Sequence, residues 1–299
     1  MSPAAAAQIR RRLVARLLLL ASAVCFGLMA VLARKLTQPA MGFTAGHLAV
    51  LRFVVGALVS LAAFAVVPGL YKPSNHRLLV ARGLSGGAVV VLYFFALARV
   101  PAGEAGILYN MFPVVATVMS LFIFRERPTV HLWLAILAAS LGVAVVLGQG
   151  RAGFGFGPGQ WAALAAAGFA AASANAIRAV RHTDNAATIF FFFCVAGLPV
   201  VLPFALSPLP GGWWPWTLAV AMSLLAYGGQ ILMSHAYGAL SIPEAAAWLQ
   251  LTPIAQYLLA VPLLGEHGSL AGLVGVVVTV AGVAYGTVMG HRAADRPTG

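Results

Sequence analysis

The chain has 299 residues, of which 62% are hydrophobic and 8% charged, a balance that a water-facing surface does not tolerate. Its net charge of +12 would suit nucleic acid in a soluble protein. In a chain this apolar, the basic residues instead face anionic lipid headgroups, so the expected partners are a bilayer and a small molecule, not nucleic acid.

About 20 mostly apolar residues cross the hydrocarbon as a helix. Gly, Pro and charge punctuate the sequence into ten such spans, at roughly 13–34, 44–68, 78–98, 103–124, 131–148, 158–180, 186–206, 214–238, 243–264 and 269–289. The first follows Arg10-Arg11-Arg12 and contains Ala21-Ser22-Ala23, in the manner of a signal peptide. Its apolar run continues to Ala33, which marks a retained span. The second carries Arg52. The fourth reads GEAGILYNMFP at 103–113 and closes on Arg125-Glu126-Arg127. The sixth holds Phe169 and Asn175, and the seventh has Phe190 to Phe193. The eighth follows Trp213, Trp214 and Trp216, which read as an interfacial aromatic belt, and holds Tyr227, Gln230 and His235. The ninth opens EAAAWLQLTP at 244–253. Cys25 and Cys194 fall within spans and read as small packing residues rather than a disulfide. Loops of a few residues leave no room for a soluble domain.

A shift of 140 positions superposes the ninth span on the fourth: Glu104 on Glu244, Asn110 on Gln250, Pro113 on Pro253, Glu126 on Glu266 and Gly142 on Gly282. The chain therefore reads as an all-α integral membrane protein of ten transmembrane helices in two inverted five-helix repeats, 1–150 and 151–299. An odd number of spans per unit turns the second copy over, as in secondary transporters. Thirteen of the eighteen Lys and Arg fall on one side if the N-terminus is cytoplasmic, which predicts both termini inside a cytoplasmic (inner) membrane.

Within the repeat, Ser241-Ile-Pro-Glu244 has the form of a capping box, giving Glu244 and its counterpart Glu104 a structural reading at helix N-termini, with an ion or proton site as the alternative. Glu126 and Glu266 read as interfacial hinge residues. Pro113 and Pro253 are predicted helix kinks, each beside an amide, Asn110 or Gln250, so that each half carries a polar spot near mid-membrane. These amides are either substrate lining or interhelical glue. Arg52 and His235 are the titratable side chains placed well inside the spans. Arg52 reads as a side chain that snorkels or bonds helix-end carbonyls, and His235 as a hydrogen-bonded packing residue, with a proton shuttle as the alternative. Small residues at Gly83/Gly87, Gly268/Gly272 and Gly282/Gly286 predict close helix packing within a monomer, with a dimer through the tenth span as the alternative.

These residues resemble the drug/metabolite transporter superfamily, and specifically its EamA-type ten-helix members: Phe26-Gly27, Ala33-Arg34, Leu51-Arg52-Phe53, the Glu-to-Pro fourth helix, its Arg-Glu-Arg close and the Gly142-centred fifth span. Among these the chain looks most like YddG-type amino acid exporters, with Phe26 and Phe112 in comparable positions. It departs from them in having Asn110 and Gln250 where those exporters tend to show tyrosine. The resemblance implies a central cavity between spans one to four and six to nine. Candidate lining residues are Phe26, Tyr93, Asn110, Phe112, Phe169, Asn175, Tyr227, Gln230, His235, Trp248 and Gln250, which offer aromatic faces and neutral hydrogen bonds to a zwitterion. The expected function is export of small amphipathic metabolites, amino acids including aromatic ones foremost, by alternating access. The alternative is a carrier of lipophilic cations, sugars or nucleotide-sugars, the last disfavoured by a single cavity cation, Arg52. An intramembrane enzyme is disfavoured because the sequence has no HExxH, no pair of embedded aspartates and no ATP-binding GxxxxGK[ST]. A channel or scaffold gives the duplication no rationale. No cofactor and no metal are expected.

Overall fold

A computed structural model of the protein describes residues 3–97, 99, 108–125, 128–147, 157–265 and 269–294. Lipid offers no hydrogen bond to the backbone, so an apolar chain crossing it satisfies its own peptide groups as helix. Among the described residues all regular structure is helical: α1 (Pro3–Leu36), α2 (Ala45–Val66), α3 (His76–Leu97), α4 (Phe112–Ile123), α5 (Val130–Leu147), α6 (Pro158–Val180), α7 (Ala186–Val201) with a 3₁₀ turn at Leu202–Phe204, α8 (Trp213–Ala236), α9 (Ile242–Leu249), α10 (Leu251–Leu264) and α11 (Leu270–Ala294). Seven stretches are long and apolar enough to cross a membrane, with α9 and α10 together forming one of them. Three shorter apolar helices, Phe112–Ile123, Val130–Val145 and Leu270–Gly286, complete the ten.

Local sequence fixes where the helices begin. Thr44 Oγ1 accepts the His47 N–H while His47 Nδ1 accepts the Thr44 N–H, a reciprocal cap on α2. Asn185 Oδ1 accepts the Thr188 N–H at 2.8 Å, and Ser241 Oγ accepts the Glu244 N–H. Gly265, at φ 68°, ends α10 in the left-handed conformation that favours glycine. The first helix departs from expectation by starting at Pro3 instead of near residue 13, so Arg10 to Arg16 are helical rather than a leading basic tail.

The principal contacts all join residues before 150 to residues after it. α1 packs on α8 and α3 on α6; α1 on α10 and α4 on α6; α2 on α8 and α3 on α7; and α2 meets α7, α4 meets α9 and α5 meets α11. Chain direction gives the bundle an amino-terminal face, which carries the start of α1 and the loops at 67–75, 181–185 and 237–241, and an opposite face.

Glycines allow the closest of these approaches. Gly83 and Gly87 on α3 lie against Ala196, Gly197 and Val200 of α7. Gly282 and Gly286 on α11 lie against Ala135 and Ala139 of α5, so the glycine face of the last helix is occupied within the chain. Gly268 lies outside the described residues. A Cβ on Gly142 would meet the Thr279 backbone nitrogen at 2.6 Å and the Gly275 carbonyl oxygen at 2.7 Å, atoms that cannot rotate away. At the opposite face, Trp216 is not a free interfacial ring: it packs edge-on against Phe43 at 5.2 Å and donates Nε1–H to the Pro210 carbonyl at 3.0 Å. Trp213 and Trp214 stand exposed.

Gly142→Ala is expected to lower stability in detergent by about 1–3 kcal/mol through overpacking of α5 on α11. Gly168→Ala, on α6 with nothing near its Cβ, is expected to raise it by about 0.5–1 kcal/mol through helix propensity. Thermal unfolding of the two variants followed by circular dichroism compares them directly.

Candidate functional site

Two helices are broken at matching places. Residues 108–109 are helical, Asn110 and Met111 form a turn, and α4 then starts with Pro113 in its first turn. In the second half α9 stops at Leu249, Gln250 stands at the junction, and α10 follows with Pro253 in its first turn. Proline has no N–H for a continuing helix and crowds the preceding turn, so the chain restarts the helix instead of running through. The amides at the breaks are buried with hydrogen-bonding capacity to spare. Gln250 is fully buried and donates Nε2–H to Ser140 Oγ at 2.6 Å, while its Oε1 has no partner among the described residues. Asn110 is buried with Nδ2 unpartnered. Asn175 donates to the Ala171 and Ala116 carbonyls at 2.9 and 3.3 Å, which ties α6 to α4, and keeps Oδ1 unpartnered. The half-buried Trp248 leaves its Nε1–H without an acceptor.

The predicted aromatics sort into two groups and two outliers. Tyr93 stacks at a tilt on Tyr109 at 4.6 Å, and Tyr109 on Phe112 at 5.7 Å, a ladder leading to the first helix break. Tyr227 meets Phe190 edge-on at 5.1 Å, and Phe26 fills the space over Gly229, whose Cβ would touch its ring at 3.0 Å. Phe169 is 45% exposed. His235 is not an interior residue: it lies in the last turn of α8, exposed, with Nδ1 at 3.0 Å from its own Ile231 carbonyl. Helix α8 ends at the amino-terminal face, one residue after His235.

The interior cations differ from expectation more than any other feature. Arg52 does not snorkel, and among the described residues it makes no hydrogen bond to a helix-end carbonyl. It is buried, with Nε unpartnered and the guanidinium carbon 5.8 Å from the centre of the Phe193 ring. Arg82, counted from sequence among the residues of a basic loop, is 3% exposed inside α3. Its guanidinium carbon lies 4.2 Å from the same ring, and its Nη2 donates to Gln230 Oε1 at 3.1 Å. Gln230, expected to line the cavity, is thus an acceptor for Arg82. The nearness of Arg82 to His76 and Arg77 in sequence hid it, although its place as the fifth residue of the predicted 78–98 span is a usable signal. Phe193 belongs to the four-phenylalanine run that replaces the arginine expected by the repeat, and it is the surface on which both arginines rest.

The amino-terminal face is closed by a different set of bonds. Glu244 forms half of the expected capping box, since its N–H reaches Ser241, but its carboxylate turns to α1. Its Oε2 accepts from Arg12 Nη2 at 2.7 Å and its Oε1 from Arg16 Nη2 at 2.6 Å and Nε at 3.0 Å. Arg11 donates to the Gly238 carbonyl at 3.0 Å and Arg178 to the Tyr237 carbonyl at 2.9 Å. Asp184 accepts from the Ser74 N–H at 2.7 Å and from the Thr183 hydroxyl at 2.6 Å. Glu104, Glu126, Glu266 and Arg127 lie outside the described residues.

Residues 13–148 match the model of the EamA-like transporter family. That match takes in a little under half of the chain. The chain is also 27% identical over 168 residues to the pseudopaline exporter CntI of Pseudomonas aeruginosa, in strains UCBPP-PA14 and PAO1 alike. The match covers 54% of this chain and 57% of the exporter, so the chain spans little more than half the length of the curated relatives it matches. A solved crystal structure shares the fold with a TM-score of 0.78, over 93% of this chain and 98% of that one, at 23% identity. The protein is thus an all-helical multi-pass membrane protein that shares its fold with that solved structure.

Among the described residues the Glu244 cluster is the buried ion pair of the bundle, and breaking it leaves Arg16 uncompensated. Glu244→Gln is expected to lower stability by about 3 kcal/mol. Arg12→Ala, which removes the more exposed partner, is expected to cost under about 1 kcal/mol. Thermal unfolding in detergent ranks the two; equal losses would contradict the assignment of Arg16 as the dominant partner.

Proposed function

We propose that the protein is a secondary transporter that exports small amphipathic metabolites, amino acids including aromatic ones foremost, by alternating access between two inverted halves, 1–150 and 151–299. The observation that carries this reading is the paired interruption of the bundle at Asn110 and Gln250. Broken helices at corresponding depths put spare hydrogen-bonding groups where a solute can use them, which is how transporter sites near mid-membrane are built. The contact pattern supports the two-halves reading, because exchanging the halves turns α1·α8 into α3·α6, α1·α10 into α4·α6 and α2·α8 into α3·α7. The similarity to pseudopaline exporters supports export of an organic solute.

The basic residues of the amino-terminal face favour a cytoplasmic N- and C-terminus in an inner membrane. The glycine contacts made by α11 within the chain favour a monomer. The two described carboxylates, Glu244 and Asp184, both sit at the amino-terminal face and are bonded there, which leaves facilitated movement down the solute gradient as the simpler coupling.

Proteoliposomes loaded with labelled amino acids test this. Flux of large neutral amino acids is expected with or without an imposed pH gradient, and Asn110→Ala with Gln250→Ala is expected to reduce it about tenfold or more, two buried polar contacts at about 1 kcal/mol each. Absence of any amino acid flux from folded protein would overturn the substrate class. The second reading, a carrier of other organic solutes, is favoured on one side only: Arg82 beside Arg52 removes the objection to anionic solutes and adds one to lipophilic cations.

A further inference from the structure

The arginine pair is the least explained feature of the interior. Arg52 stands about 10 Å along α2 from the opposite face and Arg82 about 9 Å along α3 from the amino-terminal face, at 1.5 Å per residue. They meet over one ring, Phe193 of α7, near the middle of the bundle. A single buried guanidinium is expensive, and two of like sign beside each other are more so. Structural arginines offset this with carboxylates. Here the two carboxylates among the described residues, Glu244 and Asp184, are both committed at the amino-terminal face. Apart from the Gln230 acceptor and the Phe193 face, the pair keeps three buried donors without partners, Arg52 Nε and Arg82 Nε and Nη1. The surroundings are built around that arrangement: a Cβ on Gly86 would collide with both the Phe193 ring and Arg82 Nη1, so the absence of a side chain there makes room for the guanidinium. Tyr109, from the ladder at the first helix break, lies within electrostatic reach of both arginines.

We propose that Arg52 and Arg82 form the recognition site for the carboxylates of the transported solute, and that among the solutes carried one with two carboxylates is bound in preference to one with a single carboxylate. This rests on the transporter reading and narrows it. A planar guanidinium matches a carboxylate with two parallel N–H donors, and the bond is charge-assisted on both sides. One carboxylate leaves the second arginine uncompensated; two neutralise the pair. A simple zwitterion also lacks, among the described residues here, an acidic partner for its ammonium, which the Tyr93–Tyr109–Phe112 faces accept only weakly. Gln230 acts as a positioning residue that orients Arg82 from α8, so the site joins α2 and α3 of one half to α7 and α8 of the other. A solute bound there draws together the two halves that move apart during transport.

Three probes on the same five-carbon skeleton test the charge requirement: glutamate with two carboxylates, norvaline with one, and cadaverine with none. Binding is measured on the full-length protein in nanodiscs, and counterflow on the same preparation in proteoliposomes. Glutamate is expected to bind about tenfold or more tighter than norvaline, the difference made by one charge-assisted contact, with no binding of cadaverine. Arg52→Gln and Arg82→Gln each bring the glutamate-to-norvaline ratio close to one, a readout that a general packing defect does not move. Arg82→Lys keeps the charge but loses the fork, and is expected to retain part of the preference. Should the glutamine variants fail to fold, the wild-type ranking and Arg82→Lys still decide. Norvaline or cadaverine binding as well as glutamate, or an unchanged ratio in the folded arginine variants, overturns the site while leaving the exporter reading intact if neutral amino acids still move. Arginine-dependent glutamate binding without flux of any solute supports the site and overturns the exporter reading. Neither binding nor flux overturns both.

Discussion

Hydrocarbon supplies no hydrogen bond, so each polar group within the ten spans has to find its partner inside the chain. The helices satisfy the backbone, and hydroxyls turn back on it: Thr117 donates to the Pro113 carbonyl at 2.7 Å, Ser223 to Ala219 at 2.8 Å and Ser60 to Gly56 at 2.8 Å. These pairings are local and neutral, and they leave the helices free to pack through glycine and alanine. Against that background the unsatisfied groups stand out. Among the described residues most of them lie at the broken helices, Asn110, Trp248 and Gln250, at Asn175, which bonds to α4, and at the arginine pair, with Arg181 Nε the one at the amino-terminal face. Buried polar groups are ordinarily paired, so this grouping is what the proposed solute site rests on.

Much of the fold was legible from composition alone. Among the described residues, the span boundaries set by Gly, Pro or charge fall within a few residues of a helix end, apart from the start of α1 and the last turn of α11; the expected start of the fourth span at 103 lies outside the described residues. The glycine spacings identified close approaches because a missing Cβ is visible in sequence. What escaped detection were relationships between helices distant in the chain. The Arg16 to Glu244 bond joins residues 228 apart, and nothing in the Ser241-to-Glu244 motif distinguishes a carboxylate that caps its own helix from one that reaches another. Arg82 was misplaced for a related reason: a basic residue near a helix start is ordinarily at the membrane surface, and only the packing of α3 on α6 and α7 buries it. His235 differs in the opposite direction, since the sequence does not tell which side chains in the last turn of α8 face away from the bundle.

The two faces of the bundle are held by different chemistry. At the amino-terminal face, arginines of α1 and α6 hold α9 and the loop before it: Arg11 and Arg178 donate to the Gly238 and Tyr237 carbonyls, and Arg12 and Arg16 to the Glu244 carboxylate. At the opposite face the closure is apolar and aromatic, with Phe43 on Trp216, His47 hydrogen-bonded to Ser207, and Gly46 pressed against the Phe204 carbonyl. An ionic closure responds to the loss of one charge, whereas an aromatic one responds to area. Between them lie the broken helices and the arginine pair, both straddling the boundary between the halves. Exchange of one closure for the other would therefore expose the same central groups to each side in turn, which is the content of alternating access.

The most direct test is a pair of distances measured by electron paramagnetic resonance in a Cys25→Ala, Cys194→Ala background. One pair of labels at Gln8 and Ala239 reports the amino-terminal face, and a second at Gln38 and Leu209 reports the opposite face. Removing the ionic closure with Glu244→Gln should lengthen the first distance and shorten the second. A folded Glu244→Gln protein in which both distributions stay unchanged, or both lengthen together, would contradict an exchange between two closures.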